Sequence, residues 1–179
     1  MDADYVTDLV ELYGKAIYGF CYNLTKDKND ADDLYQETFL KGIKLCHKID
    51  KNNNPKGLLI SIAIGIWKNN RRKYVWRQKI APLQEFNEEI YNEYISNDEM
   101  SIEDIILSNE LRLFIQDAAN RLNSKMRIPL YMYYTADMSI KEIASALKIP
   151  QGTVKSRLFK ARKELKDILE LEAGNYERF

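Results

Sequence analysis

The chain has 179 residues, room for one or two small domains, with 45% hydrophobic and 30% charged residues. Its formal charge is zero at pH 7, so the total alone points to neither a nucleic-acid nor a membrane-surface protein. Two cysteines that form no CxxC pair and a single histidine leave no credible zinc site, which needs about four spaced ligands.

The charge is laid out in blocks. Residues 1–50 carry a net −4, residues 51–80 +8, residues 81–120 −9, residues 121–166 +8 and residues 167–179 −3. Two basic blocks separated by an acidic one supply the local positive charge that phosphate binding needs. The opening MDADYVTD is acidic and polar, unlike a secretory signal. The longest apolar run, GLLISIAIGIW at 57–67, is well short of the roughly 20 residues that span a bilayer. A cytoplasmic setting without membrane insertion is expected, with no metal or other cofactor.

Helical periodicity dominates, and the expected fold is all-α: two small helical domains joined by a linker, the second with a helix-turn-helix. The expected division is 1–79, an acidic linker at 80–100, 101–172, and a tail at 173–179. Helices are predicted over 3–24 and 29–47, the second with Ala31, Tyr35, Phe39, Ile43 and Cys46 on one face. HKIDKNNNPKG breaks the pattern, and Pro55 suits the first turn of a helix reaching about Gln78. SIED at 101–104 is a capping box, with Met100 and Ile105 as its hydrophobic staple. Leu107, Leu111, Phe114, Ala118 and Leu122 then recur on one face, and a helix follows around PLYMYYTAD, where Pro129 limits its upstream start.

SIKE at 139–142 is a second capping box, with Met138 and Ile143 as staple. Ile140, Ile143, Ala144 and Leu147 form the inward face of a short helix, and KIPQG turns the chain. In the next helix Val154, Leu158, Ala161 and Leu165 make the buried stripe. The outer face carries Lys155, Ser156, Phe159, Lys160 and Lys163, flanked by Arg157 and Arg162. A basic helix is most often a solvated face. Here no acid lies within 153–163 to pair at i,i+4, and an exposed Phe159 suits either another domain or a thymine methyl in the major groove. DNA recognition by a helix-turn-helix is the favoured reading.

A second motif, NDADDLYQETFLKGIK at 29–44, precedes the basic helix and closing helix-turn-helix. With PQGTVKSRLFKARKEL, this order resembles bacterial RNA polymerase sigma factors of the extracytoplasmic-function (ECF) group, within the sigma-70 family, over nearly the whole chain. The resemblance implies an alternative sigma factor, not an enzyme, that binds core RNA polymerase and directs promoter-specific initiation. In that family an acidic helix docks on the β′ coiled coil. Here Asp33, Leu34, Gln36, Glu37 and Phe39 would supply it, in preference to a solvated face or a metal site from Asp30, Asp33 and Glu37. The −35 element would be read by Thr153, Lys155, Ser156, Phe159 and Lys160, with Arg157 and Arg162 on phosphates and the β flap as a further polymerase contact. The −10 element would meet Asn52, Asn53 and Asn54 in the loop, then Lys68, Asn69, Asn70, Arg71, Arg72 and Lys73. Trp67, Tyr74 and Trp76 could stack on exposed bases, with a core position for Trp67 as the alternative.

The family usually has tryptophan where this chain has Leu58, and Arg-Asn where it has Ile64-Gly65, so −10 specificity is expected to rest more on Asn52–Asn54. Melted and duplex promoter DNA, and often a cognate anti-sigma factor, are the implied partners. The rival is a one-component regulator with a sensor in residues 1–100, which would bind an operator without polymerase. No catalytic histidine, Ser–His pair or metal cluster supports an enzyme.

Overall fold

A computed structural model describes residues 3–45, 54–80 and 102–176. Among them are seven α-helices and no strand: α1 (Ala3–Thr25), α2 (Lys28–Leu45), α3 (Pro55–Ile80), α4 (Ile102–Arg121), α5 (Ser124–Tyr134), α6 (Ile140–Leu147) and α7 (Gln151–Tyr176). Cys46, Asn52, Asn53, the linker from residue 81 and the Ser101 capping box lie outside the described residues.

α1, α2 and α3 pack on one another, and α5, α6 and α7 form a second group in which α4 contacts α7. Ile17, Phe20 and Cys21 of α1, Leu34 of α2, and Leu59 and Ile60 of α3 fill the first group's interior. Burial pushes the Cys21 thiol up to about 12, so it stays protonated and packs as a small apolar group.

The inward line of α2 is Ala31, Leu34, Thr38, Phe39 and Gly42, rotated from the expected Ala31–Tyr35–Phe39–Ile43 line. Two features make that rotation workable. The Thr38 hydroxyl donates to the Leu34 carbonyl at 2.6 Å, satisfying a fully buried polar group inside its own helix. Gly42 lets α3 come close, because a Cβ there would stand 2.6 Å from Leu59 Cδ2. Tyr35 is left half-buried at the rim, its ring centroid 4.8 Å from that of Phe39.

Asn54 starts α3: its Oδ1 accepts from Gly57 N at 2.8 Å, and Pro55, which has no N–H to satisfy, takes the first helical position. α5 begins at Ser124, five residues before Pro129, which lies inside the helix. Asn123 caps that start by accepting from Lys125 N at 2.7 Å. The hydrogen bond Pro129 cannot make would fall on the carbonyl of Lys125, an exposed residue. Ala118 in α4 and Leu122 just beyond it are buried as the pattern requires, but Leu111 is 56% exposed.

The capping box at α6 is complete. Ser139 N donates to Glu142 Oε2 at 2.8 Å, and Ser139 Oγ accepts from Glu142 N at 3.3 Å. The Ser139 hydroxyl, which donates to Glu142 Oε2 at 2.7 Å, and then the Ser139 N–H hold the Glu142 carboxyl below its ordinary range. Lys148 ends α6 in the left-handed region at φ 54°, and Ile149 N reaches back to the Ala144 carbonyl at 3.0 Å. Met138 and Ile143 are both buried, as a staple should be.

The two groups share one continuous core. α6 packs on α3 and α5 on α1. Polar links tie the seam: Asn54 Nδ2 donates to Glu142 Oε1 at 2.9 Å, and Lys56 Nζ to the Asp137 carbonyl at 2.9 Å. Asn23 Nδ2 donates to Thr135 Oγ1 at 3.2 Å and its Oδ1 accepts from Gln116 Nε2 at 3.1 Å.

Candidate nucleic-acid interface

The first turns of α7 follow the α6 turn directly. Val154, Leu158 and Ala161 anchor the helix at 0–2% exposure, and this fixes the rotation of everything else on it. Lys155, Ser156, Phe159, Lys160 and Lys163 therefore point outward. Phe159 is 69% exposed, an unusual place for so large an apolar ring. Ser156 Oγ donates to the Thr153 carbonyl at 3.0 Å, which turns its lone pairs outward as acceptors. Thr153 and Arg157 are half-buried at the edge of the face.

Arg162 departs from the expected set. Its Nε donates to Tyr134 Oη at 2.9 Å, and its guanidinium lies 5.5 Å from the Tyr133 ring centroid and 5.7 Å from that of Tyr134. It is drawn toward α5.

Lys68, Asn69, Asn70, Arg71, Arg72 and Lys73 of α3 are all exposed. No acid faces them from the same helix, since 51–80 contains none. Arg72 Nη2 donates to Asn69 Oδ1. Arg71 lies 5.5 Å from the Trp67 ring centroid. Trp67 itself is half-buried against the core, whereas Trp76 is 66% exposed. Ile64 is buried at 5%, so the position where a basic residue was sought faces the core. Gly65 is exposed, and a Cβ there would meet nothing within 4 Å. Asn54, assigned to base reading, spends both ends of its amide elsewhere, on Gly57 N and Glu142.

On α2, Asp33 and Gln36 are exposed and Glu37 is half-buried beside Lys41 at 2.7 Å. Leu34 and Phe39 are core residues at 4% and 7% exposure, so neither belongs to an outward face. A large apolar residue that does face outward near them is Leu40, 58% exposed. Its spacing from Asp33, Gln36 and Glu37 (i+7, i+4 and i+3) was the signal that could have found it.

Between α1 on one side and α4, α5 and α7 on the other runs a groove of about 1430 Å³. Its apolar wall includes Leu12, Leu111, Ile115, Leu165 and Leu169, and Lys15, Arg112, Arg162 and Lys166 stand among the lining residues with Glu170. Leu12 and Leu111 are 71% and 56% exposed. No motif announced this groove, because it exists only where the two groups meet. Among the described residues no cluster could hold a metal ion, and no helix is long and apolar enough to cross a membrane.

Comparisons with known proteins fit this geometry. Residues 9–77 match the family described as Sigma-70 region 2, and residues 114–165 match Sigma-70, region 4. The chain is 29% identical over 172 residues to the ECF RNA polymerase sigma factor SigW of Bacillus subtilis, covering 94% of this chain and 90% of that protein. It is 24% identical over 163 residues to SigM of the same organism, covering 91% and 94%. The sigma factor RpoE, solved with the anti-sigma factor NepR from Bartonella quintana, shares the fold at a TM-score of 0.75 and 21% identity, covering 94% of this chain and 98% of that one. CnrH, solved with the cytosolic domain of CnrY, does so at 0.67 and 17%, covering 95% and 90%. The two matched regions cover more than half of the chain, in the order and on the helices that carry its basic faces, and the chain belongs to the sigma-70 family of RNA polymerase sigma factors, in its ECF group.

Proposed function

We propose that this sigma factor reads its promoter at two points and grips polymerase at a third. The outer face of α7, through Lys155, Ser156, Phe159 and Lys160, enters the major groove of the −35 element, with Arg157 at its edge on phosphate. The face of α3 from Lys68 to Lys73 holds the −10 strand, and Trp76 stacks on a base freed from the duplex, a contact worth about 1–3 kcal/mol. Asp33, Gln36, Glu37 and Leu40 of α2 form the polymerase contact: acids for a basic partner helix, around one exposed leucine. The chain itself performs no chemistry.

The observation that carries this reading is the pair of cationic faces on α3 and α7, each with a large aromatic held in solvent (Trp76 66%, Phe159 69%). A ligand-sensing domain has no need of the first. The test adds the protein to sigma-free core polymerase on genomic promoter templates and looks for promoter-dependent transcripts. Absence of transcripts on every template, with tight operator binding by the protein alone, would refute it.

The groove supports a further partner. Its exposed leucines with Lys15, Arg112, Arg162 and Lys166 suit an amphipathic helix bearing acids, and an anti-sigma factor is the partner we assign to it. Leu111→Asp should free the chain from such an inhibitor without lowering transcription by core polymerase.

A further inference from the structure

The start of α5 is charged against the usual preference. A helix start presents free N–H groups and the positive end of the macrodipole, so acids favour it and cations do not. The first turn of α5 has no acid, and Lys125 and Arg127 stand there instead. Ser124, its first residue, lines a cleft of about 650 Å³ whose other wall is α3, with Trp67, Lys68, Arg71 and Arg72. Among the described lining residues there is no acid, and residues 51–80 contain none. The positive end of one helix thus faces the cations of another.

Arg127 lies one turn beyond Ser124, on the same face of α5, and is only 8% exposed. Its Nη1 donates to the Asn120 carbonyl at 2.8 Å, at the end of α4. Its Nε is buried without a hydrogen-bond partner, and among the described residues no carboxylate pairs with the guanidinium. Most of its N–H groups are left without an acceptor. Burial, then the like charge of Arg71, lower the pKa of Arg127, and burial, then Arg127, lower that of Lys26 in the turn after α1. Asp117 opposes this at Lys26, but its carboxylate is shared with Arg121 at 3.0 Å. A buried cation without a counter-charge is costly, and a buried donor without an acceptor marks a place where an ion completes the structure.

We propose that the start of α5 and the facing wall of α3 form a binding site for a small phosphate-bearing anion. A phosphoryl group brings the negative charge and the acceptors that this place lacks. It accepts from the N–H groups at the start of α5, from the edge of the Arg127 guanidinium that Asn120 leaves free, and from Arg71, with Lys68 and Arg72 at the rim. Trp67 lines the same cleft, with Arg71 5.5 Å from its ring centroid, and offers a flat surface to a base carried by the phosphate. Inorganic phosphate and a nucleoside triphosphate share this chemistry. The site does not depend on the promoter reading and lies apart from the groove beside α1.

The test is urea unfolding of the full chain with added inorganic phosphate, and separately ATP, at an ionic strength held constant with chloride. Two variants accompany wild type. Ser124→Asp builds a carboxylate into the start of α5, and Arg127→Met keeps an unbranched apolar stem and removes the charge. Wild type should be stabilised saturably, its folding constant rising about 11-fold at ten times the dissociation constant. Both variants should bind the anion at least about 10-fold more weakly, the loss of a charge-assisted hydrogen bond. ATP binding about tenfold tighter than phosphate supports the site with a nucleotide as its ligand, and equal affinities support it with phosphate alone. The proposal is overturned if neither anion stabilises wild type beyond chloride, or if the effect is undiminished in Ser124→Asp. It is overturned equally if a short single-stranded DNA stabilises the chain while both small anions do nothing, since these cations would then serve DNA alone. If Arg127→Met fails to fold, Ser124→Asp still decides, because an acid suits a helix start.

Discussion

Leu158 and Phe159 are chain neighbours with opposite assigned jobs, so truncating each in turn tests the rotation of α7. Leu158 is 2% exposed and Phe159 69%. Leu158→Ala removes three carbons at about 0.8 kcal/mol each, about 2.4 kcal/mol. A residual cavity of roughly 60 Å³ adds about 1.4 kcal/mol, for a total of about 4 kcal/mol. Phe159 shields only about 60 Å² of its roughly 200 Å² side chain, at most about 1.5 kcal/mol. The better helix propensity of alanine offsets about 0.5 kcal/mol of that. Phe159→Ala should therefore cost about 1 kcal/mol or less in stability while weakening −35 binding about 5- to 150-fold. Urea unfolding followed by circular dichroism reads the first quantity. Open-complex formation on a −35-dependent promoter with core polymerase reads the second. A loss above about 2 kcal/mol for Phe159→Ala, or below about 1 kcal/mol for Leu158→Ala, would mean that the helix is rotated from the position described.

Glu37→Lys and Leu40→Ala should each weaken core-polymerase binding in a pull-down titration. Stability should stay within about 0.5 kcal/mol for Glu37→Lys, because exposed i,i+4 pairs such as Glu37–Lys41 contribute little. Gly65→Ala should raise stability by about 0.5–1 kcal/mol in the same urea titration, since a Cβ meets nothing there and glycine is costly inside a helix. The Glu142 carboxyl is held below its ordinary value of 4.5, chiefly by Ser139. Its folded pKa is thus depressed, so its contribution is present above about pH 4.5 and lost as pH falls through the lower folded value. Acid titration of wild type should show a loss of stability in that window that is smaller in Glu142→Gln.

The stripe of α7 was legible because its inward residues are apolar and spaced along a single line of the helix. The capping box at Ser139 was legible because its chemistry is local. α2 was not, because two lines compete along it. The line through Ala31, Tyr35 and Phe39 looks apolar, while the line the protein buries contains Thr38 and Gly42. Thr38 hides its polarity in a bond to its own helix, and Gly42 is buried by the approach of Leu59. Neither effect is visible in a hydropathy pattern. Leu34 and Phe39 entered the docking set through the family resemblance, although Phe39 also lay on the expected inward line; both are core residues. Asn54 and Arg162 make contacts no local pattern shows: each meets a partner far along the chain, Glu142 for one and Tyr133 with Tyr134 for the other. Asparagine and arginine carry no local mark of which distant group will claim them.

The groove is a composite site, with one wall from α1 and the others from α4, α5 and α7. Separate the halves and it ceases to exist. Any ligand of that groove therefore favours the packed arrangement of the two groups, and at a hundred times its dissociation constant it adds about 2.7 kcal/mol to that arrangement. Reciprocity runs the other way with equal force: whatever separates the two groups weakens such a ligand by the same factor by which the ligand opposes the separation.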